Sequence, residues 1–86
     1  MLEIIYAPSF VRQFKELEES LREEVVEKME KFKNKNNHAS LKVHKLHGKY
    51  DGFCGFSVNY KIRIIFEYLS KDKVSILHIG DHDIYK

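Results

Sequence analysis

The sequence predicts an α+β fold of order β-α-α-β-β-β-β, with a helical hairpin packed on one face of a twisted, mainly antiparallel sheet. Three observations predict it. Apolar residues recur at helical spacing between Phe10 and Phe32. From Cys54 onward the apolar period changes to two. Only short links separate the alternating runs, which joins them as consecutive hairpins.

Each element follows from its residues. "LEIIY" is a short run with β-branched and aromatic members, ended by Pro8, and reads as a strand. Pro8 suits the first turn of a following helix, and Phe10, Phe14 and Leu17 continue at helical spacing. "SLREEVVEKMEKF" restarts the pattern: Ser20 and Glu23 form an S-x-x-E capping box, which places the helix junction at Ser20. Leu21, Val25, Met29 and Phe32 line one face of that second helix as core. "NKNNHAS" is a polar loop, and "KVHKL" adds a short strand. Three alternating sets come next: Cys54, Phe56, Val58 and Tyr60; Ile62, Ile64, Phe66 and Tyr68; Val74, Ile76 and His78. The links at Asn59–Lys61 and Ser70–Lys73 make the hairpins. His38 in the loop, His47 in a turn and His78, which alternates with Val74 and Ile76 as a core or edge histidine, read as structural. Helices on one face leave the other free. Arg63 points opposite to Ile62 and Ile64, so it belongs to the open side or to a polar cleft, because arginine is rarely buried without a partner.

Eighty-six residues make one domain, 1–86, with no room for a second core. Apolar residues at 43% suit a compact fold, and charged residues at 33% keep it soluble. No apolar stretch approaches the roughly 20 residues of a membrane span. The N-terminal stretch carries Glu3 and Pro8 and lacks a basic segment, unlike a signal peptide. Cys54 is the only cysteine, which excludes an internal disulfide and fits a reducing compartment. A cytoplasmic location is expected. The net charge of +2 is unevenly spread. Residues 1–30 hold eight acids against four bases, a balance of −4, whereas 31–63 hold eight bases against Asp51 alone, a balance of +7. A basic middle points to a polyanion site, although charge alone favours a solvated lysine loop plus a charged helix.

Three segments carry a family likeness: "HKLHGKYDGF" at 44–53, "YKIRIIFEYL" at 60–69 and "IGDHDIY" at 79–85. In that order, along essentially the whole chain, they resemble the RelE/ParE superfamily of toxins from type II toxin–antitoxin systems, nearest to the RelE/YafQ-like mRNA interferases. The resemblance implies a RelE-like fold and an endoribonuclease that inhibits translation by cutting mRNA, free or ribosome-bound. It also implies a small acidic antitoxin protein as partner, expected to cover the basic 31–63 region. In the RNA-cleaving members a strand arginine contacts the scissile phosphate, and Arg63 matches it. The YafQ-like branch places histidines at the positions of His44 and His82, and a terminal tyrosine that orients or stacks on substrate matches Tyr85. The chain departs from the pattern where RelE-like toxins carry a lysine pair on the third strand, which falls on Cys54 and Phe56. Two further polar positions of the YafQ-like pattern fall on Ser57 and Lys61. The alternatives are a ParE-like inhibitor of DNA gyrase and a non-catalytic binding module of the same fold. His44, Arg63 and His82 together favour the nuclease, because a gyrase binder needs no acid–base pair.

The chemistry stands beside the likeness. Metal-free RNA cleavage needs a base for the 2′-hydroxyl proton, an acid for the departing 5′-oxygen and cations for the charge building on phosphorus. Histidine serves as either near neutral pH, and arginine presents a planar fork to two phosphate oxygens. Lys42, Lys45, Lys49 and Lys61 are candidates to hold the flanking RNA backbone, with Tyr60 and Tyr85 to stack on unpaired bases. No cofactor is expected. "HKLH" and "HIGDH" lack cysteine pairs and a helical HExxH, so zinc fits poorly.

Overall fold

Pro8 decides where the first strand stops. β1 (Glu3–Tyr6) gives way to α1 (Pro8–Lys15), where proline occupies the first turn and its missing N–H is not needed. The computed structural model describes residues 1–81 and 84. α2 (Glu19–Phe32) starts earlier than the sequence suggests: Glu18 is its cap, without a side-chain bond, and Ser20 lies inside the first turn. The expected capping box therefore does not sit at the helix start. Arg22 closes that turn instead, its backbone N–H donating to the Glu18 carbonyl at 3.0 Å and its guanidinium to the Leu17 carbonyl. Glu18 and Glu19 also favour the positive end of the helix dipole.

Beyond α2 come a 3₁₀ turn at Lys35–Asn37, β2 (His44–Lys45) and a second 3₁₀ turn at Gly48–Tyr50. β3 (Cys54–Ser57), β4 (Ile62–Ser70) and β5 (Lys73–Asp81) complete the order. Among the described residues five strands form one sheet in the order β1-β5-β4-β3-β2. β1 runs parallel to β5; the other pairings are antiparallel. The predicted α+β architecture, with a helical hairpin on one face of the sheet, is the one observed.

The helices bury Phe10, Val25, Met29 and Phe32 against Cys54, Phe56, Ile64, Phe66, Val74 and Ile76. Phe32 is the centre of this core. Its ring stacks on Phe56 at 4.5 Å and meets Phe66 edge-on at 4.8 Å. His38 stacks on Phe32 at 4.7 Å, and its Nε2 lies 2.8 Å from the Phe32 carbonyl, so this loop histidine fastens the chain to the end of α2. Tyr60 leaves the inward set: it is 90% exposed at the tip of the β3–β4 hairpin.

Two expectations are corrected by β5 and by the segment after β2. Across the β4–β5 pair, Ile65 faces His78 and Phe66 faces Ile76, so Leu77 is an extra residue, a bulge. The period shifts by one. Ile79 takes the inward place that simple alternation would give His78, and His78 turns toward the helix-free face as a half-buried edge histidine, its Nδ1 3.5 Å from the side-chain amide of Gln13 on α1. Nor is that face wholly free. Ile65 on it is fully buried, and Tyr50 reaches back across the sheet to within 6.4 Å of the His78 ring. Residues 46–53 thus cover one end and leave the end around Arg63 accessible.

β1 stops at the Tyr6–Ile76 pair, which would leave the rest of β5 as a bare edge. Side chains of α1 take over. Ser9 donates to the Leu77 carbonyl at 2.6 Å, and Gln13 Oε1 accepts from the Ile79 N–H at 2.9 Å.

Candidate functional site

Strand register sets the residues of the helix-free face in rows. One row reads His44, Gly55, Ile65 and His78; the next reads Ser57, Arg63 and Gly80. Arg63 is half-buried in the second row, and among the described residues it makes no ion pair with a carboxylate. Its Nη1 donates to the carbonyls of Asn59 and Ile62, which draws the guanidinium toward the hairpin.

Asn59 organises this end of the sheet. Its Oδ1 accepts from the N–H groups of Lys61 (2.8 Å) and Ile62 (2.7 Å), while its Nδ2 donates to Glu24 on α2 at 2.7 Å. One side chain therefore shapes the turn, ties it to the helix and fixes the carbonyl that holds Arg63. Between α2 and the hairpin lies a cleft of about 420 Å³ whose lining includes Lys28, Lys31, Lys42, Ser57, Tyr60 and Arg63.

His44 follows two residues after Lys42, which lines this cleft. Its Nδ1 lies 2.8 Å from the carbonyl of Lys42, a group that can only accept, so Nδ1 carries the proton and Nε2 is the basic nitrogen of the neutral ring. Lys42 has a positive φ of 60°, an uncommon conformation for a residue with a side chain, and its carbonyl is the one that meets His44. From the register, Cα atoms of His44 and Arg63 stand about 12 Å apart, two strand spacings across and two residues along. His78 is three strand spacings from His44, roughly 14 Å, too far to form a direct pair with it.

The other predicted residues divide. Lys61 lies in the hairpin next to Tyr60, beside the cleft. Lys45 pairs with Cys54 and so projects to the opposite side of the sheet from His44. Lys49 lies over the Tyr50 ring at 5.4 Å, at the covered end. His82 and Tyr85 lie outside the described residues. Cys54 and Phe56, which fall where RelE-like toxins carry lysines, are both buried on the helix side. The β3 positions that face Arg63's side are Gly55 and Ser57. Sequence reasoning missed Asn59, Lys28 and Lys31; only the turn setting of Asn59 was a signal. Among the described residues no group of three or more His, Cys, Asp or Glu side chains converges as a metal site. A second concavity of about 290 Å³, between α1 and α2, is lined by apolar residues such as Phe10, Val11 and Val26 and lies across the sheet from Arg63.

No protein-family model matches the sequence, and no curated protein matches it. Solved structures do match. The solution structure of the conserved hypothetical protein HP0894 from Helicobacter pylori superposes with a TM-score of 0.76 over 96% of this chain and 97% of that one, at 20% identity. The fold is that of the RelE/ParE toxins. YafQ from E. coli matches with a TM-score of 0.62 at 18% identity, over 98% of this chain and 97% of its own. The RelBE2 toxin–antitoxin complex of Mycobacterium tuberculosis matches with a TM-score of 0.73 at 14% identity, over 94% and 98%. In the RelE/ParE fold of this chain, the helix-free face holds the candidate chemistry and the opposite face holds the helical hairpin.

Proposed function

We propose that this chain is the toxin of a toxin–antitoxin pair and that it cleaves mRNA with its own side chains on the helix-free face of the sheet. The observation that carries this reading is Arg63: a half-buried strand cation without a carboxylate partner among the described residues, at the mouth of a cation-lined cleft. A partly desolvated cation with no counter-charge is costly, and a phosphate from a ligand offsets that cost. His44 supplies the base. With Nδ1 held by the Lys42 carbonyl, Nε2 takes the 2′-hydroxyl proton, and the 2′-oxygen attacks phosphorus. The 5′-oxygen leaves with a proton from His82, the proposed acid, and a 2′,3′-cyclic phosphate remains. Arg63 bonds the non-bridging oxygens as charge builds on them. Lys42 and Lys61 hold the flanking backbone, and Tyr85 orients the nucleotide.

The proposed partner is a small acidic antitoxin covering the basic 31–63 region; one of the structures similar to this chain is a toxin–antitoxin complex. Cleavage of free and ribosome-bound RNA, in chelator, tests the mechanism. Arg63→Ala and His44→Gln are each expected to lose about 10²-fold or more of the rate while keeping the circular dichroism of the parent. A folded Arg63→Ala protein that still cuts at full rate, or cutting that chelator stops, rejects this chemistry. Intact transcripts with relaxed or broken plasmid DNA would put gyrase in place of RNA as the target.

A further inference from the structure

The cleft beside Arg63 has no part in the proton transfers, yet its chemistry is specific. Lys28 and Lys31 on α2, Lys42 after the polar loop and Arg63 on β4 converge on it, and none of its lining residues is acidic. Lys28 lies outside the basic 31–63 segment and Lys31 at its very start, both on a helix otherwise rich in glutamate, so the cleft is not simply a by-product of that segment. Their nearest counter-charge is Glu27, at 4.0 Å from Lys28 and 3.6 Å from Lys31. Such long, solvent-facing pairs contribute little and exchange readily for a stronger anion. The other nearby acid, Glu24, is engaged by the Asn59 amide. At the rim stands Tyr60, an aromatic ring 90% exposed on a hairpin tip that Asn59 holds in place.

We infer that this cleft is a second RNA subsite, which grips the backbone phosphates of the single strand leaving the cut and stacks one unpaired base on Tyr60. The inference rests on the RNA-cleaving reading and adds the path of the strand: off the sheet at Arg63, around the β3–β4 hairpin and toward α2. Phosphates suit the lysines, the Ser57 hydroxyl suits a sugar or phosphate oxygen, and a flat exposed ring suits a base irrespective of its identity.

The test is binding of a fluorescent single-stranded RNA to the full chain across a salt series. The background is His44→Gln, so that binding is read well before the slowed cutting sets in. Adding Lys28→Ala and Lys31→Ala should make the plot of log affinity against log salt shallower by about 1.4, two phosphate contacts at ~0.7 each. Arg12→Ala with Lys15→Ala, which removes the same charge from α1, should leave that slope unchanged. Glu27→Gln should tighten binding, because it removes the competing carboxylate. Tyr60→Ala should weaken binding about tenfold, and Tyr60→Phe should restore it. Unchanged slope and affinity in the Lys28/Lys31 variant, in a protein that binds and cuts RNA, overturns the subsite and leaves the RNA reading standing. A Lys28/Lys31 variant that binds RNA normally but loses its antitoxin makes the cleft a protein surface and also overturns it. A parent protein that neither binds nor cuts RNA at any salt rejects both.

Discussion

The side chain of Asn59 makes three bonds at once, to the N–H groups of Lys61 and Ile62 and to the Glu24 carboxylate, while its own carbonyl accepts from Arg63. Asn59→Ala strands those partners and should cost roughly 1–3 kcal/mol. It should also lower cleavage about tenfold or more, since the backbone carbonyl that accepts from Arg63 loses the side-chain bonds that hold it in place. Asn59→Asp keeps the oxygen that accepts from both turn N–H groups but sets a carboxylate against Glu24, so it should recover part of the activity and less of the stability. Denaturant unfolding and single-turnover cleavage read the two effects separately; an Asn59→Ala protein with parental kinetics would show that Arg63 is positioned without it. Arg63 was legible in the sequence because a cation in an apolar strand is conspicuous. Asn59, Lys28 and Lys31 were not, because their roles arise only where α2 meets a hairpin some thirty residues further along. Cys54 and Phe56 were legible too: alternation set them with the apolar residues of their strand, and both are in the core.

At the scale of elements, what the period of apolar residues could reveal was revealed: the strands, the two helices and their order. It could not show the bulge. "SILHIG" offers apolar residues to both faces, so nothing in it fixes which residue is extra, and of the two places open to His78, core or edge, the bulge leaves the edge. The start of α2 was missed for a different reason: Glu18 begins the helix without a side-chain cap, and the Arg22 guanidinium instead fastens the preceding chain by donating to the Leu17 carbonyl. The bulge places Gly80 opposite Arg63, and at Gly80 the strand backbone lies close against the Ile84 side chain. A Cβ built on Gly80 would run into the Cγ2 methyl of Ile84. Gly80→Ala must therefore displace Ile84 from the helix-free face next to Arg63. Cleavage should fall by as much as ~10²-fold, the scale of an ångström-sized misplacement, and stability should change far less, because Ile84 is only half-buried. If the alanine variant cuts at the parental rate, the residues after β5 take no part in the reaction.

Over the whole molecule, the basic balance of 31–63 overstates a single patch. Lys33 is bonded to Glu30 at 3.1 Å, Lys35 to the Lys71 carbonyl at 2.6 Å, and Lys45 lies on the helix side. What converges is a smaller set that draws Lys28 and Lys31 from the glutamate-rich helix α2. The same three-dimensional placement sets a response to alkali. Among the described residues, four groups stand above their ordinary pKa values: Tyr6, Lys33, Cys54 and Tyr68. Burial raises Cys54 above 9.0, with Lys45 opposing, and burial followed by the neighbouring thiol raises Tyr68 above 10.0. Burial likewise raises Tyr6, while the bond to Glu30 raises the exposed Lys33, which adds little. Each raised group holds its proton more firmly in the folded chain. Its contribution is complete below the unfolded value and disappears as pH climbs through the folded one. Stability should thus be level between about pH 7 and pH 8 and decline above about pH 9, where the unfolded thiol and then the phenols ionise first. Urea midpoints measured from about pH 7 to pH 11 check this, with Cys54→Ala as the companion. The variant starts lower, because it loses packing, but its decline should be shallower on two counts: it lacks the thiol, and Tyr68 loses the charge that raises it. Equal alkaline slopes in the two proteins would mean that the thiol ionises as easily folded as unfolded, and that the sheet around Cys54 opens to water well before the chain unfolds.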